Sequence, residues 1–344
     1  MVDYFGRAGV IGCGYDVPRH VRRNDDPAYD QLNRSRNRHG LFESDMFYGL
    51  DRRRFLEADE TVEDLMENAC LRALDRAGVS PDSIDRLYGY GSVPAYYMPN
   101  GLFAVHQRVG ISENAMVVPI NSEYANFLLG MIHAAEFVNS GSGRYALVVC
   151  GCNWTGYMDY TRGHAFSIGD GAGAAVVGPS DDFAVVDHEV RTFSDHYHAL
   201  TMGMRTTKVT GRTQLPVDPR TNLPVPTYDM TDSGVEILGT VMRDGIPDLV
   251  HSVLGRHDID PGKVALITHQ GSKLLMEHWG ERIQPGEYLE TLAEYGNMTL
   301  ATYPVNLAHF FDEINSDYLV IAAVGAGVYL SVLLLSRNST KKEE

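Results

Sequence analysis

VVPINSEYANFLLGMIHAAEFVNS, residues 117–140, is the stretch whose reading decides the fold. Met116, Val117, Val118 and Ile120 are β-branched or apolar and read as a short buried strand. From Asn126 the pattern changes: Phe127, Leu128, Met131, Ile132, Ala135 and Val138 recur every three or four residues, the period of a buried helix. Between the two lies a polar corner, Asn121-Ser122-Glu123-Tyr124. Such a corner presents a side chain at a helix N-terminus, where free N–H groups and the helix dipole favour developing negative charge. Enzymes often place a nucleophile there. This chain has Glu123 and Tyr124, and neither a cysteine nor a serine elbow.

The chain has 344 residues, and a hydrophobic share of 44% is ample for one large domain or two ordinary ones. A formal charge of −16 argues against a nucleic-acid partner. Four cysteines (Cys13, Cys70, Cys150, Cys152) make no disulfide framework and point to a reducing, cytoplasmic compartment. Cys150-x-Cys152 lacks the second ligand pair of a zinc site and reads as strand-end packing. The Asp195-His196-Tyr197-His198 cluster lies in a loop without a further ligand in view, so no metal is expected. The N-terminus has no apolar signal core. Residues 318–336 have the length of a membrane span, but Gly325-Ala326-Gly327 divides them into two strand-length runs, and two buried strands are expected.

Several further elements follow from pattern. Residues 9–14 read as a strand ending in a glycine turn, and 24–51 as a polar surface segment. Residues 61–77 read as a helix with Thr61 as N-cap and acids in its first turn. Strands are expected at 84–90, 144–151 and 264–268, and helices at 101–109, 233–254 and 289–295. Residues 166–178 form a glycine-dense turn feeding a buried strand; no Lys-Ser/Thr of a phosphate loop is present. Residues 192–228, with Pro216, Pro219, Pro224 and Pro226, read as a loop-rich lid or insertion.

An internal echo sets the architecture. Residues 79–92 line up with 259–272, each following a helix and entering a buried strand. YALVVCG and GAGAAVV in the first half return as YLVIAAVG and GAGVYLSV in the second. Helices alternating with buried strands, in duplicate, predict an α/β fold of two similar halves, 1–180 and 181–344, with the site at their junction.

With that duplication in view, the chain resembles thiolase-fold proteins of the ketoacyl-acyl-carrier-protein synthase III type nearly end to end. The resemblance rests on the glycines of residues 11–14, Asn24-Asp25-Asp26, the basic turn at 49–54 and the IGDGAGAAVV block at 168–177. It continues in His269-Gln270, Tyr295-Gly296-Asn297 and Val324-Gly325-Ala326-Gly327. It implies a layered αβαβα arrangement and a dimer whose sheet continues through the strand at 144–151. It also implies a Cys-His-Asn triad acting on acyl thioesters. His269 and Asn297 match that triad, while Tyr124 falls at the cysteine, Glu123 just before it, and Asn126 at the usual glycine.

The departures matter as much as the matches. A phenol has a pKa near 10, so Tyr124 is a poor substitute for a thiol. It reads either as a chemical group or as filling for the pocket, and Glu123 either as an acid/base or as a helix N-terminal charge. The family's HQAN signature reads His269-Gln270-Gly271-Ser272, and no tryptophan in residues 40–48 stands ready to stack on adenine. Ordinary fatty-acid initiation is therefore not expected. Arg52, Arg53 and Arg54 read as a structural and partner-facing turn, with the phosphate of coenzyme A or a carrier protein as their cofactor-binding alternative.

Three functions follow from the resemblance. The leading one is a divergent acyltransferase of specialised metabolism, taking the acyl group from coenzyme A or carrier-protein phosphopantetheine, with no permanently bound cofactor. The others are a malonyl-thioester decarboxylase and a catalytically silent subunit paired with an active homologue. The partner is thus a second copy or a homologue, with an acyl carrier protein as donor; neither nucleic acid nor membrane is expected.

Overall fold

The structure, a computed structural model, describes residues 7–32, 47–161, 163–203, 217, 222 and 224–337. Residues 117–140 fold as a strand, a corner and a helix, and this succession recurs through the chain. Its first part gives β1 (Ala8–Asp16), β2 (His20–Arg23), β3 (Arg52–Phe55), α1 (Val62–Ala77), β4 (Arg86–Gly91) and α2 (Leu102–Val109). There follow β5 (Met116–Pro119), α3 (Asn126–Asn139), β6 (Ala146–Cys152) and β7 (Gly171–Pro179). The second part gives β8 (Ala184–Thr192), β9 (Leu200–Gly203), β10 (Thr227–Met230), α4 (Asp232–Ile237), α5 (Arg243–Arg256), β11 (Val264–Thr268) and α6 (Lys273–Ile283). It closes with β12 (Glu287–Tyr288), α7 (Leu292–Tyr295), α8 (Thr302–Phe310), β13 (Tyr318–Gly325) and β14 (Tyr329–Ser336).

The main sheet runs β5-β4-β6-β7-β1 and then β8-β14-β13-β11-β12. In each set of five, the first-formed parallel strand (β4 or β11) lies between two parallel neighbours, and two antiparallel steps follow. The sets meet at one pair, Gly9 opposite Ala184. The echo in the sequence is therefore an echo in pairing.

Alternation along the strands explains the layers. Leu147 and Val149 of β6 pack outward with Leu65, Ala69 and Ala73 of α1, while Val148 and Cys150 face inward with the apolar side chains of α3. The inner helix α3 packs on β6, β4, β7 and β1 and also on β14 and β8. Beside it α8 packs on β7, β1 and β11, and α5 covers the far face on β14 and β13. The result is the αβαβα order. Gly173 of β7 lets α8 come this close, since a Cβ there would lie 2.7 Å from the backbone at Pro304 and Val305.

Several expectations need correction. β1 runs straight through Gly12 and Gly14, with an irregularity at Val10/Gly12, so there is no turn at the glycines. β5 is an edge strand and only part-buried. The strand at 144–151, expected to carry a dimer edge, is β6, flanked on both sides by β4 and β7. The helix expected at 233–254 is α4 and α5 joined through a π turn at Leu238–Met242. Residues 289–295 contribute only the short α7. Within 192–228, β9 and β10 pair as a ribbon, and residues 204–216 lie outside the described residues. β8, α6 and α8 add to the elements read from pattern. Residues 318–336 form the antiparallel β13 and β14, and among the described residues no helix is long and apolar enough to cross a membrane.

Gly173→Ala is expected to lower stability by about 1–3 kcal/mol, because the added methyl meets helix backbone that cannot rotate away. Urea unfolding of the variant beside the parent measures this; an unchanged midpoint would show that α8 does not depend on the glycine.

Candidate active site

The corner before α3 is held by its own hydrogen bonds. The Ala125 N–H donates to Ser122 O (2.7 Å), and Asn126 Nδ2 donates back to Ile120 O (2.7 Å). Asn126 thus closes the corner with its side chain. The Glu123–Tyr124 peptide is cis.

Tyr124 turns inward from this corner. Its ring stacks on His269, with centroids 5.2 Å apart and planes at 27°, and tilts against Trp154 at 5.5 Å. Trp154 in turn meets Tyr228 of β10 at 5.0 Å. Burial first, then the Tyr228, Glu123 and Tyr303 side chains, pushes the Tyr124 hydroxyl well above its usual range. It is a neutral phenol near pH 7.

His269 follows the last residue of β11 and is buried. Burial lowers its pKa from 6.5 to about 4, so its imidazole is neutral near pH 7. The Tyr303 hydroxyl lies 3.5 Å from Nδ1, at the outer limit of a hydrogen bond. The next residue, Gln270, is fully buried and organises the surroundings. Its Oε1 accepts from Thr291 N (2.7 Å) and Asn306 Nδ2 (2.8 Å), while its Nε2 donates to Gly296 O (3.1 Å).

Gly296 places Asn297. It has φ +70°, and a Cβ would lie 2.5 Å from Ser167 O. The Asn297 N–H donates to Ser167 O (2.7 Å) and its carbonyl accepts from Gly169 N (3.0 Å), pinning it to the glycine block ahead of β7. Asn297 Oδ1 accepts from Thr299 N (2.9 Å), which leaves Nδ2 free of any hydrogen bond among the described residues. Asn297 and His269 are thus joined through Gly296 and Gln270, not by a direct side-chain bond.

Glu123 faces the end of β4. Ser92 Oγ donates to its Oε1 at 2.6 Å. Part of the residue reaches solvent, yet the carboxyl is enclosed, and burial raises its pKa from 4.5 to about 7. Ser92 and the Trp154 N–H oppose that rise, although the indole lacks good hydrogen-bond geometry. The nearby thiols offer no substitute nucleophile. Cys152 accepts from Thr299 Oγ1 (3.3 Å) and, like Cys150, is driven by burial well above the usual thiol range.

The basic turn divides. Arg53 is buried, donates to Phe166 O (2.6 Å) and to Asn24 Oδ1, and lies over the rings of Tyr29 and Phe47. A guanidinium enclosed in this way holds the fold and cannot face a phosphate, so its cofactor-binding reading falls. Arg52 and Arg54 are partly exposed and share Glu294, at 3.4 and 3.9 Å. Among the described residues, His20, Asp59 and Glu60 come close enough to share an ion, but Arg19 already pairs with both acids.

Pattern reading thus named His269, Asn297, Tyr124 and Glu123; the fold stacks Tyr124 on His269, sets Glu123 beside Tyr124 in the chain, and links Asn297 to His269 through Gly296 and Gln270. Pattern reading passed over Trp154, Tyr228, Tyr303 and Ser92. Trp154 carried a signal, as one of two tryptophans and the second residue beyond a buried strand.

Residues 119–193, which span the corner and the glycine block, match the family of 3-oxoacyl-(acyl-carrier-protein) synthase III. Over 96% of this chain and 98% of its own length, β-ketoacyl-(acyl-carrier-protein) synthase III 1 of Halalkalibacterium halodurans is 27% identical. The Geobacillus kaustophilus synthase III is 28% identical over 93% of this chain and 95% of its own. The fold matches the priming β-ketosynthase of the R1128 polyketide biosynthetic pathway with a TM-score of 0.82, at 23% identity over 98% of each chain. The chain has the thiolase-type fold of that solved structure and is similar to the ketoacyl synthase III family. Its relatives carry the names of condensing enzymes, and the corner just described is the part the family match covers.

Because the Glu123 carboxyl is harder to ionise in the folded chain, the folded state holds its proton between about pH 4.5 and 7 while the unfolded state releases it. Its contribution to stability therefore falls as pH rises through that window. Glu123→Gln should melt close to the parent at pH 5 and above it at pH 8, read by thermal denaturation. A gap that is the same at both pH values would show that Glu123 does not titrate in this way.

Proposed function

We propose that the protein is an acyltransferase that receives an acyl thioester, from coenzyme A or a carrier-protein phosphopantetheine, and passes the acyl group straight to an acceptor in specialised metabolism. The observation that carries the reading is the pairing of Tyr124 with His269. The aromatic ring stands where the resemblance puts the family's cysteine, yet His269, stacked on that ring, and the buried Asn297 are both kept. Without a thiol, the acyl group stays on its donor until the acceptor attacks.

The pocket's chemistry suits that step. A neutral imidazole and an amide with an uncommitted N–H can both donate to the thioester carbonyl oxygen as negative charge gathers there. Neither needs to change charge to do so. Arg52 and Arg54 remain the cations of the basic turn with side chains partly in solvent, and they are the candidates for the donor's phosphate. The reading includes a cytoplasmic protein that pairs with a second copy or a homologue through the open edge of β5, where Met116 is exposed.

A second reading, the silent partner subunit, is favoured by the same ring: Tyr124 is only 6% exposed and fills the corner. Kinetics separate the two. With a panel of acyl-coenzyme A thioesters, His269→Ala and Asn297→Ala should each cut turnover about a hundredfold, the scale of one positioned donor. Tyr124→Phe keeps the ring and should leave most of the rate. Equal, unaltered behaviour of all three variants in the presence of a homologous partner would favour the silent subunit.

A further inference from the structure

We infer that Glu123, held in place by Ser92, is the group that takes the acceptor's proton, leaving His269 and Asn297 to hold the carbonyl oxygen. The inference rests on the acyltransferase reading and gives it the base it lacks. Direct transfer from a thioester to an alcohol or amine needs such a base: the acceptor's O–H or N–H must lose a proton as its new bond to carbon forms.

Geometry singles out Glu123. It is adjacent to Tyr124 in the chain and close enough to act on its hydroxyl electrostatically, and Tyr124 stacks on His269. Trp154 borders both sides, with its ring against Tyr124 and its N–H toward Glu123. The segments of Ser92, which holds Glu123, and of Trp154, which borders it, are themselves fastened together. Ser92 N donates to Gly151 O (3.0 Å), and the next residue exchanges a pair of hydrogen bonds with Asn153: Val93 N to Oδ1 (3.0 Å) and Nδ2 to Val93 O (2.9 Å). Asn153 immediately precedes Trp154. Ser92 occupies Oε1, and Oε2 accepts no hydrogen bond among the described residues.

The titratable groups facing the carboxyl are Tyr90 from β4, Tyr124 beside it, and Cys150 and Cys152 from β6. All are neutral near pH 7, so burial acts without a countercharge. The usual order of strength is thereby reversed: the carboxyl, near 7, is more basic than the imidazole, near 4. A base of pKa 4 takes a proton poorly from an alcohol, whereas one near 7 is matched to the medium.

The step balances without a further reagent. The acceptor's oxygen or nitrogen bonds to the carbonyl carbon, and its proton passes to Glu123. The carbon–sulfur bond then breaks, and the thiolate leaves with the proton that Glu123 returns. Ser92 is a positioning residue: its hydroxyl donates to the carboxylate and holds its apparent pKa down.

The test is thiol release from acetyl- and butyryl-coenzyme A by the full chain between pH 5.5 and 9, with water and added primary alcohols as acceptors. Glu123→Gln should lose about a hundredfold and lose the acid limb of the profile. Ser92→Ala should move that limb upward by about one pH unit, since the lost hydrogen bond favoured the charged form. A Ser92 that only supports the fold would lower the rate equally at every pH, and that result overturns the inference. So would an acyl adduct on Ser92 by intact-mass and peptide analysis, which would make it the nucleophile. A carboxyl titration in 13C-glutamate-labelled protein adds an arm that needs no turnover: the Glu123 signal should move in Ser92→Ala, and its standing still counts against the inference. A parent that releases no thiol in the presence of any of these acceptors tells against the acyltransferase reading itself.

Discussion

The buried amide of Gln270 ties the site together. It is fully buried, so its polar atoms depend on protein partners for their hydrogen bonds. One oxygen takes Thr291 N–H and the Asn306 amide, and its nitrogen reaches Gly296 O. Thr291 Oγ1 closes the net by donating to Asn306 Oδ1 (2.6 Å). Strand β11, the short α7 and helix α8 are locked in one arrangement by this side chain. His269 on one side and Asn297 on the other inherit their positions from it. An apolar residue of the same size would leave several buried donors unpaired, and the two ends would drift independently.

The layers around this net decide its electrostatics. Because α3 and α8 are enclosed by the two five-strand halves of the main sheet, the end of β11 and the corner before α3 meet in the interior. Burial opposes charge of either sign, so it lowers His269 and raises Glu123, Tyr124 and the cysteines. A single physical cause turns an imidazole into a neutral donor, a carboxylate into a base near neutrality and a phenol into an inert ring. The side chains keep their names and exchange their usual roles.

Much of this was written in the sequence where period is strong. The three- and four-residue spacing from Phe127 to Val138, the cap at Thr61 and the echo of 79–92 in 259–272 all describe local or repeated constraints, and each appears in the fold. His269 and Asn297 were singled out through motifs, and the fold buries both. Three consecutive arginines look alike in sequence, so their structural and phosphate-facing readings could not be divided among them; alternation along β3 sends Arg53 inward beneath Tyr29 and Phe47. Ser92 was invisible for a related reason. It lies 31 residues from Glu123, and only the pairing of parallel strands brings the two side chains to 2.6 Å. The dimer edge was misplaced because a fully apolar strand such as β6 reads the same at an edge or inside a sheet.

The carboxyl at the corner weighs on the choice between enzyme and silent scaffold. Filling space beside Tyr124 does not require a charge; leucine or glutamine would occupy the volume without the desolvation that moves Glu123 from 4.5 to about 7. A scaffold under no chemical demand would gain stability near neutral pH from either replacement. Glu123 is instead held by a short bond from Ser92, whose segment is fastened through Val93 to Asn153 beside Trp154. Desolvation of this kind is characteristic of groups that are used chemically. Tyr124 alone is compatible with a closed pocket. Tyr124 beside a positioned, weakly acidic carboxyl and a neutral imidazole is what the proposed transfer, with its nucleophile carried by the acceptor, requires.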